Sequence, residues 1–231
     1  YRGRLLVRGV NQDGSHKKFR INYKPSLFIP TQKESKYKTL DGRNVDKVTF
    51  DSISDTKRWI EEYKGVSNFE YFGNTRYQYP FIADEFPNKI DWDIKQIRIL
   101  TIDIECESEN GFPDPDKAEE PLICITVKDH EKKNIKVFGM GNFVNDRDDV
   151  EYVKCASEID LVHRFTDFWC KYNPDIVTGW NVKFFDIPYL MNRFKYLMGD
   201  EYLLQFSPWG VVSEGTALAL GYNRTQKYWD I

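Results

Sequence analysis

Cysteine and histidine are scarce in this chain of 231 residues. Cys106, Cys124, Cys155 and Cys170 show no C-x-x-C spacing, and His16, His130 and His163 lie far apart. Such spacing argues against a zinc cluster and offers no disulfide framework, so a reduced, intracellular compartment is expected. No apolar run reaches the length that spans a bilayer, and no signal peptide is visible. The expectation is a cytoplasmic protein with no membrane partner. Internal repeats and low-complexity segments are also missing, which leaves ordinary folded domains. The first residue is Tyr1 rather than Met, so a piece of a longer chain is expected.

What the chain has is aromatic and charged residues. Aromatics make up 16% and apolar residues 41%, enough for one large core or two smaller ones. The net charge is −3, yet residues 1–47 carry twelve Lys/Arg against four Asp/Glu, a net of +8, and the remainder carries −11. A basic end beside an acidic body points to a polyanion near the first part and cations near the second. For any single lysine, solvation of a hairpin face is the competing explanation.

Residues 4–10 read as a strand, Asn11 to Gly14 as a turn, and alternating Phe19, Ile21 and Tyr23 as a second strand. Ser26 to Ile29 stays extended up to Pro30. Ser54 is expected to cap a helix bearing Trp59, Ile60 and Tyr63 on one face, ended by Lys64-Gly65. The aromatic stretch from Phe69 to Phe86 could stack nucleobases, but such density is the mark of a core. Pro87-Asn88-Lys89 suggests a boundary, dividing the chain near residue 92 into 1–92 and 93–231.

Beyond it, strands are expected at 97–106, 122–127 and 135–138, joined as an antiparallel meander. Ser157 caps a helix with Ile159, Val162, Phe165, Phe168 and Trp169 at helical spacing, stopped by Asn173-Pro174. Ile176 to Trp180 fits a short buried strand. Asp186 then opens a helix with Pro188 in its first turn and Leu190, Met191, Phe194 and Leu197 beneath. Meander, helix, strand and helix predict an α/β domain, a mixed sheet with helices packed on it.

The chemistry lies at the end of the first of these strands, in Ile102-Asp103-Ile104-Glu105-Cys106. Residues two apart on a strand share a face, so Asp103 and Glu105 point the same way. Ile99, Leu100, Ile102 and Ile104 suggest a central strand covered on both sides. Two like charges held close repel and lose hydration, and a divalent metal is the usual remedy. A strand end with solvated acids is the plain alternative. Asp186, directly after a short strand, is a third acid at the sheet's edge; its plain role is helix capping. Together the three make an oxygen-only cluster, which suits Mg²⁺ or Mn²⁺. Two such ions about 3.5–4 Å apart clamp the attacking and leaving oxygens in phosphodiester hydrolysis, with water as the attacking group.

At these residues the sequence resembles a known family. Asp103-Ile104-Glu105 followed by Gly111-Phe112-Pro113 resembles the first exonuclease motif of family B replicative DNA polymerases, especially the tailed-bacteriophage type. The segment from Asn173 to Tyr189 looks like the second motif, Asn-x-x-x-Phe-Asp, with Asn181, Phe185 and Asp186 in its three places. Asn68-Phe69-Glu70 through Phe81-Ile82-Ala83 resembles the end of the family's N-terminal domain. The resemblance implies a ribonuclease H-like exonuclease domain, incomplete at its C-terminal end, after a smaller α+β N-terminal domain. It implies removal of mispaired 3′ nucleotides from single-stranded or frayed primer-template DNA. Asp103, Glu105 and Asp186 would hold two Mg²⁺ (or Mn²⁺) ions, and Asn181 and Phe185 would lie on the substrate strand. Phe112 would stack on a base, or else be a loop aromatic tucked onto the sheet. The rest of the polymerase chain and a sliding clamp are the implied partners.

One departure stands out. The family's fourth carboxylate belongs to a later Tyr-x-x-x-Asp motif, and the chain stops at Ile231 short of it. Tyr37…Asp41 and Tyr196…Asp200 match the spacing, but both are rejected by position. The expectation is a chain without polymerase domain or fourth ligand, whose own nuclease activity is in question. A non-catalytic nucleic-acid-binding module using the basic N-terminal part is the alternative, separable by salt dependence. A glycosidase is disfavoured, because acids on one strand face do not flank a sugar ring from two sides.

Overall fold

The computed structural model describes residues 3–11, 13–90, 92–108, 111–218 and 225–231, and the chain divides into two compact units, 1–92 and 93–231. Among the described residues, no helix is long and apolar enough to cross a membrane.

In the first unit, β1 (Leu5–Val10) and β2 (His16–Ile21) form an antiparallel hairpin. Its turn is held by Gly14 donating to the Asn11 carbonyl and by Asp13 accepting from the Ser15 amide, both at 2.9 Å; Gln12 lies outside the described residues. A second small sheet has the order β3-β5-β4, from β3 (Ser26–Pro30), β4 (Tyr37–Lys38) and β5 (Asn44–Thr49). Helix α1 (Ile53–Tyr63) is capped two residues before the expected Ser54. Ser52, with extended backbone, accepts from the Asp55 amide at 3.1 Å, while Ser54 lies inside the first turn. Ser52 wins because only a residue outside the helix can turn its hydroxyl back onto the free amides.

Helix α2 (Gln78–Glu85) lies within the aromatic stretch that carried no helix expectation. Only part of that stretch is core. Tyr77 is buried with Tyr23 and Ile53, and Phe69 stacks on Tyr63, whereas Tyr79 and Phe86 are exposed.

The second unit begins with a 3₁₀ turn at Ile94–Gln96 and is built on β6 (Ile99–Cys106), β7 (Leu122–Asp129), β8 (Ile135–Gly139), β9 (Val150–Lys154) and β10 (Ile176–Thr178). They form one mixed sheet in the order β10-β6-β7-β8-β9. The pairs β6–β7 and β7–β8 are antiparallel; β8–β9 and β10–β6 are parallel. β9 was not expected from the sequence. Helix α3 (Glu158–Tyr172) is capped by Ser157 and ends at Asn173 in the left-handed conformation. Helix α4 (Asp186–Met198) is followed by a 3₁₀ segment at Asp200–Phe206 and a hairpin of β11 (Ser213–Leu218) and β12 (Thr225–Asp230), also unforeseen.

The core lies on one side of the sheet. Leu100, Ile102, Ile104, Ile125, Val127 and Phe138 face Phe165 and Trp169 of α3 and Leu190 and Phe194 of α4 in a single buried cluster. Phe165 touches both Phe138 and Phe194, at ring-centroid distances of 5.7 and 6.1 Å, so both helices cover the same face. Coverage of β6 on both sides is therefore a correction. Its alternate residues Thr101, Asp103 and Glu105 are at most half-buried. The short strand at 176–178 is likewise no buried strand: it pairs only with β6 and lies at the sheet's edge among the described residues, leaving Ile176 and Thr178 exposed. A β-branched run reads alike in both settings, because periodicity does not report neighbours.

Candidate active site

β6 presents Asp103 and Glu105 on the open face, opposite Thr126 and Cys124 of β7. Directly after Glu105 the register shifts, so that Cys106 pairs with Leu122 and Ile123 is left without a partner. A bulge of this kind bends a strand and re-aims nearby side chains. Burial raises the pKa of the Cys124 thiol, and Glu105 and Asp103 add to it, which places that thiol beside both acids.

Asp186 reaches the same strand from the other direction. β10 pairs with β6 only at Ile99, Leu100 and Thr101. Gly179 then lies so close to the Ile102 carbonyl that a Cβ would stand 2.5 Å from its oxygen. The chain turns through Asn181, whose φ is +54° and whose carbonyl accepts from the amides of Phe184 and Phe185 at 3.0 Å. Asn tolerates this left-handed conformation better than most residues. The turn delivers Asp186, only 3% exposed, to the free edge of β6. Its carboxylate does not cap α4: Phe185 occupies the cap position, and no side chain bonds there.

Burial raises the Asp186 pKa to about 6; Asp103 and Glu105 push the same way, while its own amide and that of Ile104 oppose them. Like charges in low dielectric disfavour a third ionised carboxylate. Asp186 thus lies within the field of both other acids. Among the described residues, however, no group of three His, Cys, Asp or Glu side chains is gathered closely enough to hold a metal ion. The donor set, all oxygen and short of positive charge, fits a hard divalent cation in chemistry. Cys106, beside the same acids, is pushed up to about 11 by burial first, with Glu105 and Asp186 adding to it. Its thiol stays protonated at neutral pH, which leaves no thiolate nucleophile there.

Phe112 and Phe185 lie together, with ring centroids 4.9 Å apart. Phe112 is 84% exposed, so it is not tucked onto the sheet. Of the two rejected Tyr-x-x-x-Asp matches, Asp200 pairs with Lys195 at 2.9 Å beyond the far end of α4, and Asp41 pairs with Arg43 at 2.9 Å in the first unit.

Sequence reasoning missed the residues that hold the loop bearing Phe112. Arg193 of α4, 5% exposed, forms a two-pronged ion pair with Glu158 of α3 at 2.8 and 2.7 Å. It also donates to the carbonyls of Glu119 at 2.7 Å and Ala118 at 3.2 Å. Tyr189 donates to the Glu120 carbonyl and Asn192 to that of Pro115, each at 2.7 Å. The available signal was a charge between Leu190 and Phe194 on the apolar stripe, a place charges occupy only when paired. Trp180, assigned to the expected strand, is 93% exposed beside Asn181; nothing in its sequence context distinguishes it.

The model of the DNA polymerase family B exonuclease domain matches residues 74–213. The chain belongs to the family B DNA polymerases. This family B chain is 28% identical to the DNA-directed DNA polymerase of Enterobacteria phage T4 over 233 residues, 90% of this chain and 26% of that protein. The same identity holds with the DNA-directed DNA polymerase of Escherichia phage RB69, over 88% of this chain and 26% of that protein. A DNA polymerase catalytic subunit of Alcelaphine herpesvirus 1 is 36% identical over 113 residues, 46% of this chain and 10% of that subunit. The family B chain thus spans about a quarter of the phage polymerases it matches.

Proposed function

We propose that residues 93–231 are the ribonuclease H-like 3′–5′ exonuclease domain of a DNA-directed DNA polymerase, preceded by a smaller α+β N-terminal domain in residues 1–92. Its task is proofreading during replication, the hydrolysis of mispaired nucleotides from single-stranded or frayed primer ends. The observation that carries this reading is Asp186 at the edge of β6, its ionised form disfavoured first by burial and further by Asp103 and Glu105. An enzyme keeps such an arrangement where a cation is to be bound.

Asp103, Glu105 and Asp186 are the residues that would hold two Mg²⁺ or Mn²⁺ ions. When bound, these ions supply charge neutralisation and activate water for in-line attack on a phosphodiester. The chain's own residues orient the strand. Asn181 holds it near the scissile phosphate, and the ring pair Phe112–Phe185 offers a sequence-tolerant face for an unpaired base. Sequence tolerance suits proofreading, because any mispaired end must fit. The rest of the polymerase and a sliding clamp are its partners, in the cytoplasm of a host cell.

In the whole polymerase, Asp103→Ala or Asp186→Ala should abolish digestion of a labelled single-stranded 3′ end in Mg²⁺ and leave primer extension largely intact. Digestion at the unaltered rate by either variant would overturn the ligand assignment.

A second reading is favoured by β2, whose Lys17, Lys18 and Arg20 are exposed around Phe19. On this reading the N-terminal unit is a nucleic-acid-binding module, with affinity that falls steeply as salt rises and needs no divalent ion.

A further inference from the structure

The end of the sheet opposite the carboxylates carries a second constellation that the proposed function does not use. Arg98 precedes β6, so it lies five residues, or about 16 Å of extended strand, before Asp103. There a cavity of about 540 Å³ opens between the entry to β6, the β7–β8 turn and helix α3.

Arg98 is the unusual group in its wall. Only 18% of its side chain is exposed, and its Nε and Nη2 are buried with no hydrogen-bond partner. Asp175 is its ion-pair partner, with Oδ2 3.8 Å from Nε, a separation too long for a hydrogen bond; the same oxygen accepts from the Arg98 backbone amide at 2.9 Å. Buried charged donors without an acceptor are costly, and a planar guanidinium fork matches the oxygens of a phosphate. Lys132 and Lys171 bring two further ammonium groups to the same wall. Lys136 and Arg164 are already committed, to Glu151 at 2.7 Å and Asp160 at 2.9 Å.

The other wall is aromatic. Phe168 and Tyr172 stack with centroids 5.5 Å apart and planes at 16°. Three acids, Asp129, Glu131 and Asp167, also line the cavity; Asp129 is buried and already accepts from the amides of Glu131 and Lys132 at 2.9 and 3.1 Å. They weaken attraction for anions in general and favour a ligand that brings hydrogen-bond donors along with its phosphate. A nucleobase does so; inorganic phosphate brings far less. The volume lies within the range of small-ligand sites.

We propose that this cavity binds a nucleoside monophosphate, its phosphate on Arg98 flanked by Lys132 and Lys171 and its base against Phe168 and Tyr172. The site is separate from the carboxylates and needs no divalent ion.

The test is calorimetric titration of the 231-residue chain, in buffer freed of divalent ions, with each of the four deoxynucleoside monophosphates and with inorganic phosphate. At least one nucleotide should bind with Kd below about 1 mM, and inorganic phosphate more weakly. Lys132→Gln with Lys171→Gln, both exposed positions, should weaken binding roughly tenfold or more, and Asp103→Ala should leave it unchanged. No nucleotide binding at millimolar concentrations, or full binding by the double lysine variant, would overturn the proposal. Inorganic phosphate binding as tightly as the nucleotides would also overturn it, because the aromatic wall would then contribute nothing. Since no cleavage is measured, failure here is distinct from failure of the exonuclease reading.

Discussion

Gly179 lies against the carbonyl of Ile102, where β10 leaves β6, at a separation that leaves no room for a Cβ. Seven residues later the same excursion sets Asp186 beside Ile104. Gly179→Ala must therefore push the turn away from the strand, since the obstructing atom is backbone and has little freedom to yield. A cost of about 1–3 kcal/mol is expected, as for other overpacked sites. Urea unfolding measures it, and exonuclease activity of the whole polymerase should fall with it. Unchanged activity would mean that Asp186 does not depend on this contact.

The Arg193–Glu158 pair is buried, two-pronged and joined to two loop carbonyls. Removing one partner strands the other charge, so Arg193→Ala or Glu158→Ala should each cost about 3–5 kcal/mol in urea unfolding. The double variant should cost clearly less than the two losses added together. Additive losses would show that the two groups act independently.

Asp186 sets a dependence on pH. Its folded-state value of about 6 lies above the ordinary 3.8, so the folded protein holds this proton more tightly than the unfolded chain does. Its contribution to stability is fully present below pH 3.8 and is lost as pH rises through 6. In metal-free buffer, Asp186→Asn should stabilise the protein at pH 7 by about 1–3 kcal/mol, a two-unit shift being worth about 3 at most. The gain should vanish near pH 4. Added Mg²⁺ should stabilise the unaltered protein and not this variant. Thermal unfolding across pH, with and without the ion, measures all three.

Phe112 is mostly solvent-exposed, so Phe112→Ala should change unfolding free energy by about 1 kcal/mol or less, the worth of one aromatic pair. Binding of a single-stranded oligonucleotide to the whole polymerase should weaken by about 1–3 kcal/mol, the worth of one stacked base. Fluorescence anisotropy reads the difference. Equal binding would assign the ring no part in holding DNA.

Much of the second unit was legible in the residues. The β6–β7–β8 meander, α3 with its Ser157 cap and α4 all occur where apolar spacing set them, because a pleat of period 2 and a helix of period 3.6 leave clear traces. β9 left a weaker trace: Val150, Tyr152 and Val153 are only half-buried, and its parallel partner β8 is brought beside it by the fold rather than by a short turn. Ser52 was passed over for Ser54 because both are serines at a helix start and only backbone angles separate them.

The site divides in the same way. Asp103 and Glu105 belong together by sequence alone, since two residues apart on a strand must share a face. That β6 is covered on one side only, that Asp186 meets it at Ile104, and that Arg193 crosses to Glu158 were decided by tertiary structure. Those relations join residues separated by 35 to 82 positions. Local preference acts over a few residues; contact at such range exists only when packing of the whole core selects it.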